Sequence, residues 1–162
     1  NNLVEQFTPI GPNQIFAPGF GGGSSYGPLA YGKATGYLYV NAIDQPFNSG
    51  RDPKGYFSAY DPTTGELMWR QIYEGYGQAG PVITAGGIAW VGTGSNTAGY
   101  FYAFDAETGE ELWKFNTGSG VFASPAVYVI DGQEYITVAS GGGSRGRRGG
   151  DLILTFALPD RK

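Results

Sequence analysis

Histidine and cysteine are both absent from the 162 residues of the chain. Without cysteine, disulfides and thiolate metal sites are excluded, although the cellular compartment is left open. Without histidine, the chain lacks the commonest general base and the commonest transition-metal ligand. Ser-His-Asp catalysis and zinc chemistry are therefore closed to this chain by itself.

Basic residues are scarce as well, since 10 Lys and Arg stand against 14 Asp and Glu for a net charge of −4. The chain lacks the excess of positive charge that would bind a phosphate backbone, so its composition argues against a nucleic-acid partner. No apolar run approaches the roughly 20 residues of a membrane-spanning helix, and no membrane span is predicted. The first residues show no signal-peptide pattern and no initiator Met, so we expect a segment of a longer protein, or a mature or engineered product.

The abundant residues favour strands and tight turns. The chain holds 29 Gly, 10 Pro, 12 Tyr and 10 Phe, and 41% of its residues are hydrophobic. Glycine supplies the positive φ that tight turns need, whereas aromatic residues suit a half-buried pleated surface. The composition therefore predicts an all-β fold rather than a disordered segment.

One stretch of the chain occurs twice. GYFSAYDPTTGELMW at 55–69 returns as GYFYAFDAETGEELW at 99–113, with nine of fifteen letters identical. Each copy is followed by two further apolar runs that alternate with the period of a strand and are joined by a glycine turn. A four-stranded unit that repeats roughly every forty to fifty residues is typical of a β-propeller blade.

The repeated stretch contains the same predicted turn in both copies, with Asp61 and Gly65 in the first and Asp105 and Gly109 in the second. The aspartate can accept hydrogen bonds from backbone N–H groups two or three residues ahead, and the glycine is free to be left-handed. We interpret these four residues as structural turn residues rather than as carboxylate ligands.

Trp69 and Trp113 end the strand that follows each turn. Because tryptophan recurs at one structural place, we interpret both residues as packing between blades, with the indole N–H bonded to a backbone carbonyl. The alternative is an aromatic platform for a ligand.

The repeat divides the chain into an irregular lead-in at 1–15, a partial blade at 16–60, a blade at 66–105 and a last blade at 111–159. This makes roughly two and a half to three blades, whereas closed propellers have about 4 to 8. The remaining blades are expected on the same precursor, on another chain or on copies of this chain, because two blade faces would otherwise be exposed.

The phrases AYDPTTGELMWR and AFDAETGEELWKFNTGSGVFASPAVYVIDGQEYITVASGGG resemble the tryptophan-docking repeats of the pyrroloquinoline quinone (PQQ)-dependent alcohol and sugar dehydrogenases. The ending GGDLILTFALPDRK resembles the close of that propeller, and the resemblance runs from Phe16 to Pro159. It implies the C-terminal part of an eight-bladed propeller, with PQQ and a calcium or lanthanide ion as cofactors. It also implies hydride transfer from an alcohol or sugar to the quinone, a cytochrome electron acceptor, and a periplasmic or secreted location.

In that family the metal ligands and the catalytic aspartate lie in blades that precede the part seen here. The resemblance therefore implies no catalytic residue and no metal ligand in this chain, which alone should be inactive.

The resemblance also implies three residues that line the PQQ or substrate pocket. The family commonly carries a Gly-Gly-x-Asn-Trp segment where this chain reads GGGSSYGPLAY, so Ser25 and Tyr26 stand at the Asn and Trp positions. Gln78, in YGQAGP, matches a tryptophan of the methanol-oxidising branch. These departures imply a different substrate pocket or a divergent subfamily. The glycines before Ser25 allow the backbone to approach a flat ligand closely.

The segment GGGSRGRRGG at 141–150 carries three of the ten basic residues. It is predicted as a solvated loop, with a docking patch for an acidic electron acceptor or a lid over the cofactor as the alternatives.

Two other functions stay open at this point. A cofactor-free propeller of the same repeats would act as a binding or scaffold protein, since the repeated letters encode architecture and fold does not imply function. A self-assembling fragment would instead close a ring from three copies. The glycine-rich wording around Ser25 and at the end of the chain favours the dehydrogenase.

Overall fold

The computed structural model describes residues 11–19, 21–95, 98–142 and 149–158. These residues form eleven β-strands and no helix, which confirms the all-β prediction. Accordingly, the described residues contain no helix that is long and apolar enough to cross a membrane. The strands are β1 Ala30–Tyr31, β2 Leu38–Asp44, β3 Lys54–Tyr60, β4 Leu67–Glu74, β5 Val82–Ile83, β6 Ile88–Gly94, β7 Gly99–Asp105, β8 Glu111–Asn116, β9 Ala126–Ile130, β10 Gln133–Ser140 and β11 Leu152–Ala157.

The strands form three antiparallel sheets in which each strand pairs with its neighbours along the chain. The first sheet has the order β1-β2-β3-β4, the second has the order β5-β6-β7-β8, and the third holds β9, β10 and β11. The connections range from the tight turn between β9 and β10 to longer loops such as the one between β2 and β3, and antiparallel neighbours need no crossover element. The three sheets are the successive units that the repeat predicts.

The observed sheets and the predicted ranges assign two strands differently. β4 pairs with β3 and completes the first sheet, and β8 pairs with β7 and completes the second. The predicted ranges joined each of these strands to the unit that follows it. A repeat shows the period of a unit but not its first strand, and the tight turn before β4 or β8 makes it the hairpin partner of the preceding strand. Residues 1–10, 20, 96–97, 143–148 and 159 of the predicted ranges lie outside the described residues.

Facing side chains of the first and second sheets form one core. Successive residues of a strand point to opposite faces, so Phe57 and Ala59 of β3 meet Tyr102 and Phe104 of β7 across the interface. The rings of Phe57 and Phe104 lie 5.7 Å apart. A second core joins the second sheet to the third and contains Phe101, Val121, Ile136 and Val138.

The Trp69 indole extends from the first sheet to the second. Its Nε1 donates a hydrogen bond to the Ala106 carbonyl at 3.0 Å, and the Tyr39 hydroxyl donates to the same oxygen at 2.9 Å. Gly109 lies directly on the indole, since a Cβ there would come within 2.6 Å of Trp69 Cδ2. The Gln71 side chain donates to the Gly109 carbonyl at 2.8 Å. Trp69 therefore binds its sheet to the β7–β8 turn of the next one.

Trp113 holds the same place in the second sheet but is covered less. It packs edge-on against Phe156 of the third sheet at 5.1 Å, and its side chain is 36% exposed, against 9% for Trp69. Leu158 follows β11 as Ala106 follows β7 and is 70% exposed, and residues 159–162 lie outside the described residues. In the described part of the chain the third sheet has three strands, and an apolar groove of about 410 Å³ is open beside Trp113.

Asp61 and Asp105 direct their carboxylates into their own turns. Asp61 Oδ1 accepts from the Thr63 hydroxyl at 2.6 Å and from the Thr63 backbone N–H at 2.7 Å, and these bonds lower the pKa of Asp61. Asp105 Oδ1 accepts from the Thr108 N–H at 2.8 Å and the Thr108 hydroxyl at 3.0 Å, which lowers the pKa of Asp105 in the same way. A hydrogen bond to the charged form favours that form.

Gly109→Ala should destabilise the chain more than Gly65→Ala. The φ angles are 76° at Gly109 and 75° at Gly65, so both substitutions force alanine into the left-handed region at roughly 1–2 kcal/mol. Only at Gly109 would the new Cβ displace an indole, which adds about 1–3 kcal/mol of overpacking. At Gly65 a Cβ meets no described atom within 4 Å. Urea unfolding compares the two variants, and equal free energies of unfolding would mean that Trp69 does not dock on Gly109.

Candidate functional site

The three sheets have two different ends because their strands alternate in direction. At the turn end, short turns follow β1, β3, β5, β7 and β9. At the loop end lie the described residues of the remaining connections and the segment 21–29 that leads into β1. Ser25, Tyr26 and Gln78 all lie at the loop end. Binding residues concentrate on loops that a rigid scaffold positions, so this end is the candidate functional face.

The three segments that lead into the first strands of the sheets converge at the loop end, along the edge that β1, β5 and β9 form. Each carries a small residue followed by proline just before its strand. A Cβ at Gly80 would overlap the side chains of Pro28 and Ser124, and a Cβ at Gly27 would overlap the backbone of Gly80. Only small residues therefore fit where the sheets meet. The three pairs are Gly27-Pro28, Gly80-Pro81 and Ser124-Pro125.

Ser25 and Tyr26 precede this convergence point and face open space. Both residues are exposed, and Tyr26 is 69% exposed. Their segment is fixed to the first sheet, because the Ile43 N–H donates to the Gly23 carbonyl at 2.8 Å. A hydroxyl and a phenol are thus presented on consecutive residues of a tethered segment at the loop end.

Gln78 lies directly beside that segment but is buried. Its side chain is 5% exposed, and a Cβ at Gly27 would come within 2.6 Å of the Gln78 carbonyl. The structure therefore brings all three candidate residues together. It places Ser25 and Tyr26 on the open surface and Gln78 beneath it.

Phe122 holds the corresponding position in the third sheet, three residues before the proline, and sequence reasoning missed it. Its ring lies on three glycines: a Cβ would come within 2.5 Å of it at Gly94 and 2.6 Å at Gly120, and would overlap it at Gly142. Alignment of the three small-residue-proline pairs would have identified this position. These three glycines leave room for the Phe122 ring of the same chain. Gly23, by contrast, has open space beside it, because a Cβ there would meet no described atom within 4 Å.

A polar cavity of about 700 Å³ opens elsewhere at the loop end, between the ends of the outer strands. Its lining includes Asp44, Arg51, Asp52, Lys54 and Glu74, and does not include the three candidate residues. Charges of both signs line it, so it has no strong preference for an anion or a cation. The arginine-containing part of the predicted basic loop, 143–148, lies outside the described residues.

The chemistry available at the candidate face is binding. Among the residues that the structure describes, no three Asp or Glu side chains converge where they could hold a metal ion. Ser25 and Tyr26 supply hydrogen bonds and an aromatic surface, and the packed glycine backbone behind them supplies a rigid support. These groups are open to solvent on one side, because Tyr26 is 69% exposed.

Comparison with known proteins finds relatives among the quinoprotein alcohol dehydrogenases. A family model described as glucose/ethanol/alcohol dehydrogenase, beta-propeller domain, matches residues 72–136. The quinoprotein alcohol dehydrogenase PedH of Pseudomonas putida is 30% identical over 92% of this chain and 31% of its own length. A quinoprotein ethanol dehydrogenase of Pseudomonas putida is 37% identical over 84% of this chain and 25% of its own length. The chain thus spans about a third or less of the relatives that it matches.

A solved structure supports the fold. The quinohemoprotein alcohol dehydrogenase ADHIIG of Pseudomonas putida HK5 matches with a TM-score of 0.76 and 24% identity, over 92% of this chain and 28% of its own. The predicted fold is confirmed by this likeness, since the three sheets are blades of a β-propeller of which the chain is a part.

Gly80→Ala should disrupt the convergence point, whereas Gly23→Ala should be tolerated. The first substitution places a methyl group against Pro28 and Ser124, and overpacking of this kind costs about 1–3 kcal/mol. The second meets no described atom within 4 Å. Urea unfolding and the tyrosine fluorescence of the two variants measure the effect. If Gly80→Ala were as stable as Gly23→Ala, the three segments would not converge as described.

Proposed function

We propose that this chain, a homologue of the PQQ-dependent alcohol dehydrogenases, forms the last blades of a propeller that oxidises an alcohol or sugar by hydride transfer to PQQ. The chain closes the propeller and supplies one wall of the cofactor and substrate pocket. The remaining blades belong to the same precursor or to another chain.

The observation that carries the proposal is that the stack of sheets ends in apolar surface on both sides. Met68 and Ile72 of the first sheet are 41% and 60% exposed, and Tyr128 and Ile153 of the third are 38% and 70% exposed. In the middle sheet, which is covered on both faces, Phe101 is 0% exposed. Exposed apolar faces mark interaction sites, and in repeat folds the neighbouring units cover them. Further blades on both sides satisfy this requirement.

Ser25 and Tyr26 fit a flat, polar cofactor at the loop end. Bound PQQ supplies the acceptor for the substrate hydride. The Ser25 hydroxyl can donate or accept a hydrogen bond, and the Tyr26 ring offers an aromatic surface with a hydroxyl at its tip. Gln78, which is 5% exposed, supports this wall from behind and reaches the pocket only at its edge.

The metal ion and the catalytic base come from the other blades. The chain has no histidine, and its described residues form no carboxylate cluster for a calcium or lanthanide ion. Under this proposal the chain alone is inactive, because the metal ion and the catalytic base belong to other blades.

The electron acceptor and the location follow from the same homology. A haem group is named in the quinohemoprotein whose propeller this chain resembles, which supports a cytochrome as the acceptor. The periplasmic or secreted location rests on the resemblance to the same family.

Native mass spectrometry of the protein isolated from its source tests the proposed function. We expect the chain to travel in an assembly with the missing blades, with bound PQQ and a metal ion, and this assembly should reduce a dye when an alcohol or sugar is added. The chain alone should not reduce the dye. A bare monomer, or a ring of this chain without cofactor, would contradict the proposal and leave a structural propeller.

Tyr26→Ala should impair substrate turnover by the assembled enzyme without unfolding it. Loss of one well-placed contact, about 1.4 kcal/mol, lowers kcat/KM roughly tenfold. Tyr31→Ala is the matched control, because Tyr31 is also an exposed tyrosine, at 60%, but lies in β1 next to the turn end. Steady-state kinetics with an alcohol measure both variants. Unchanged kinetics for Tyr26→Ala at full stability would remove this residue from the pocket.

A further inference from the structure

The connection between the first and second sheets, residues 75–81, is unusually well buried for a loop at the end of a sheet. Six of its seven residues are buried, and Tyr76 is partly buried. Buried backbone groups need hydrogen-bond partners. Tyr76 and Gly94 exchange backbone hydrogen bonds at 2.6 and 3.3 Å, and the Gly75 N–H donates to the Pro53 carbonyl at 2.9 Å. The first half of the connection is therefore held by backbone contacts.

The second half of the connection is held by a side chain, that of Asn41 in β2. Its Nδ2 donates to the Ala79 carbonyl at 2.8 Å and to the Gly92 carbonyl at 3.4 Å. Carbonyl oxygens only accept, so the amide nitrogen must face them and the amide oxygen must face the other way. Asn41 is 4% exposed, so its orientation is fixed by protein groups.

The Tyr73 hydroxyl donates to the oxygen of that amide, Asn41 Oδ1. Burial raises the pKa of Tyr73 well above its ordinary value, so the hydroxyl keeps its proton. The ring stacks on Tyr102 of the second sheet at 5.9 Å, and Gly55 on β3 leaves the space that it fills. Tyr73 thereby locks the orientation of Asn41.

The connection rests directly on this pair and in turn supports the candidate wall. A Cβ at Gly77 would come within 2.5 Å of Asn41 Oδ1 and 2.9 Å of the Tyr73 hydroxyl. At the other end of the connection, Gly80 packs against Gly27, the residue that follows Tyr26. A displacement of the connection would therefore move the segment that carries Ser25 and Tyr26.

We propose that Asn41 and Tyr73 are positioning residues, which fix the 75–81 connection and through Gly80 and Gly27 hold the Ser25–Tyr26 wall at the pocket. The inference rests on the proposed function. Neither residue needs to touch substrate or cofactor, because the effect passes through backbone contacts. A misplacement of the order of 1 Å is enough to impair a binding geometry.

The test uses the assembled enzyme with the variants Tyr73→Phe and Asn41→Ala. Tyr73→Phe keeps the ring and removes the donor. Its matched control is Tyr102→Phe, which removes a hydroxyl from the same aromatic stack, where that hydroxyl interacts with the Lys114 side chain. Hydrogen exchange of the Gln78–Gly80 amides and steady-state kinetics with an alcohol are both measured.

We expect Tyr73→Phe to speed exchange at Gln78–Gly80 and to raise KM roughly tenfold, with kcat changed less than about twofold, since a lost interaction of about 1.4 kcal/mol is a factor of ten. Tyr102→Phe should change neither quantity. The double variant should resemble Asn41→Ala alone, because Tyr73 acts through Asn41.

Unchanged exchange at Gln78–Gly80 in both Tyr73→Phe and Asn41→Ala would overturn the inference, whatever the activity. Faster exchange with unchanged KM would also overturn it, because the connection would then be held without positioning the pocket. The proposed function fails separately, if the wild-type assembly with PQQ reduces no dye. In that case the hydrogen-exchange rates at Gln78–Gly80 alone decide whether Asn41 and Tyr73 hold the 75–81 connection.

Discussion

One backbone carbonyl, that of Ala106, joins the two complete sheets. It accepts hydrogen bonds from the Trp69 indole and the Tyr39 hydroxyl, both of which lie in the core between the sheets. A buried donor without a partner costs about 1–3 kcal/mol, so both side chains depend on the position of the β7–β8 turn. Asp105 and Gly109 set that turn, and Gly109 also leaves room for the indole. The residues that form a local turn in one blade therefore also form the interface with the preceding blade.

The same motif behaves differently where less of a neighbouring sheet covers it. Trp113 is exposed to four times the extent of Trp69, at 36% against 9%, and Gly65 has open space where Gly109 carries an indole. These differences come from the neighbouring sheet and not from the motif, because both copies keep the same Asp, Gly and Trp. A blade is thus completed by its neighbours, which is why repeat proteins gain stability from interfaces as well as from single units. The proposed enzyme is accordingly a property of the assembled propeller.

The two ends of the sheets satisfy different constraints. At the turn end, aspartate and glycine close short hairpins through local hydrogen bonds. At the loop end, glycines serve close contact between distant segments, as Gly27 with Gly80 and Gly94 with Phe122 show. The loop end can therefore present Ser25 and Tyr26 on a rigid support while its own connections are buried. Rigid support of this kind is what a pocket wall needs if it is to hold a ligand in one geometry.

The sequence by itself determined the all-β class, the four-stranded repeat, the resemblance to quinoprotein dehydrogenases and the turns at Asp61 and Asp105. Each of these features depends on the types and spacing of residues that are close together in the chain. The sequence did not determine which strand begins a blade, since a repeat shows a period but no starting point, and the predicted ranges divide the chain before β4 and β8, which pair with the strands that precede them. Only the tertiary structure decided that Gln78 is buried, that Phe122 lies on three glycines, and that Asn41 meets Tyr73. These contacts join residues far apart in the chain, and their geometry depends on how the sheets pack.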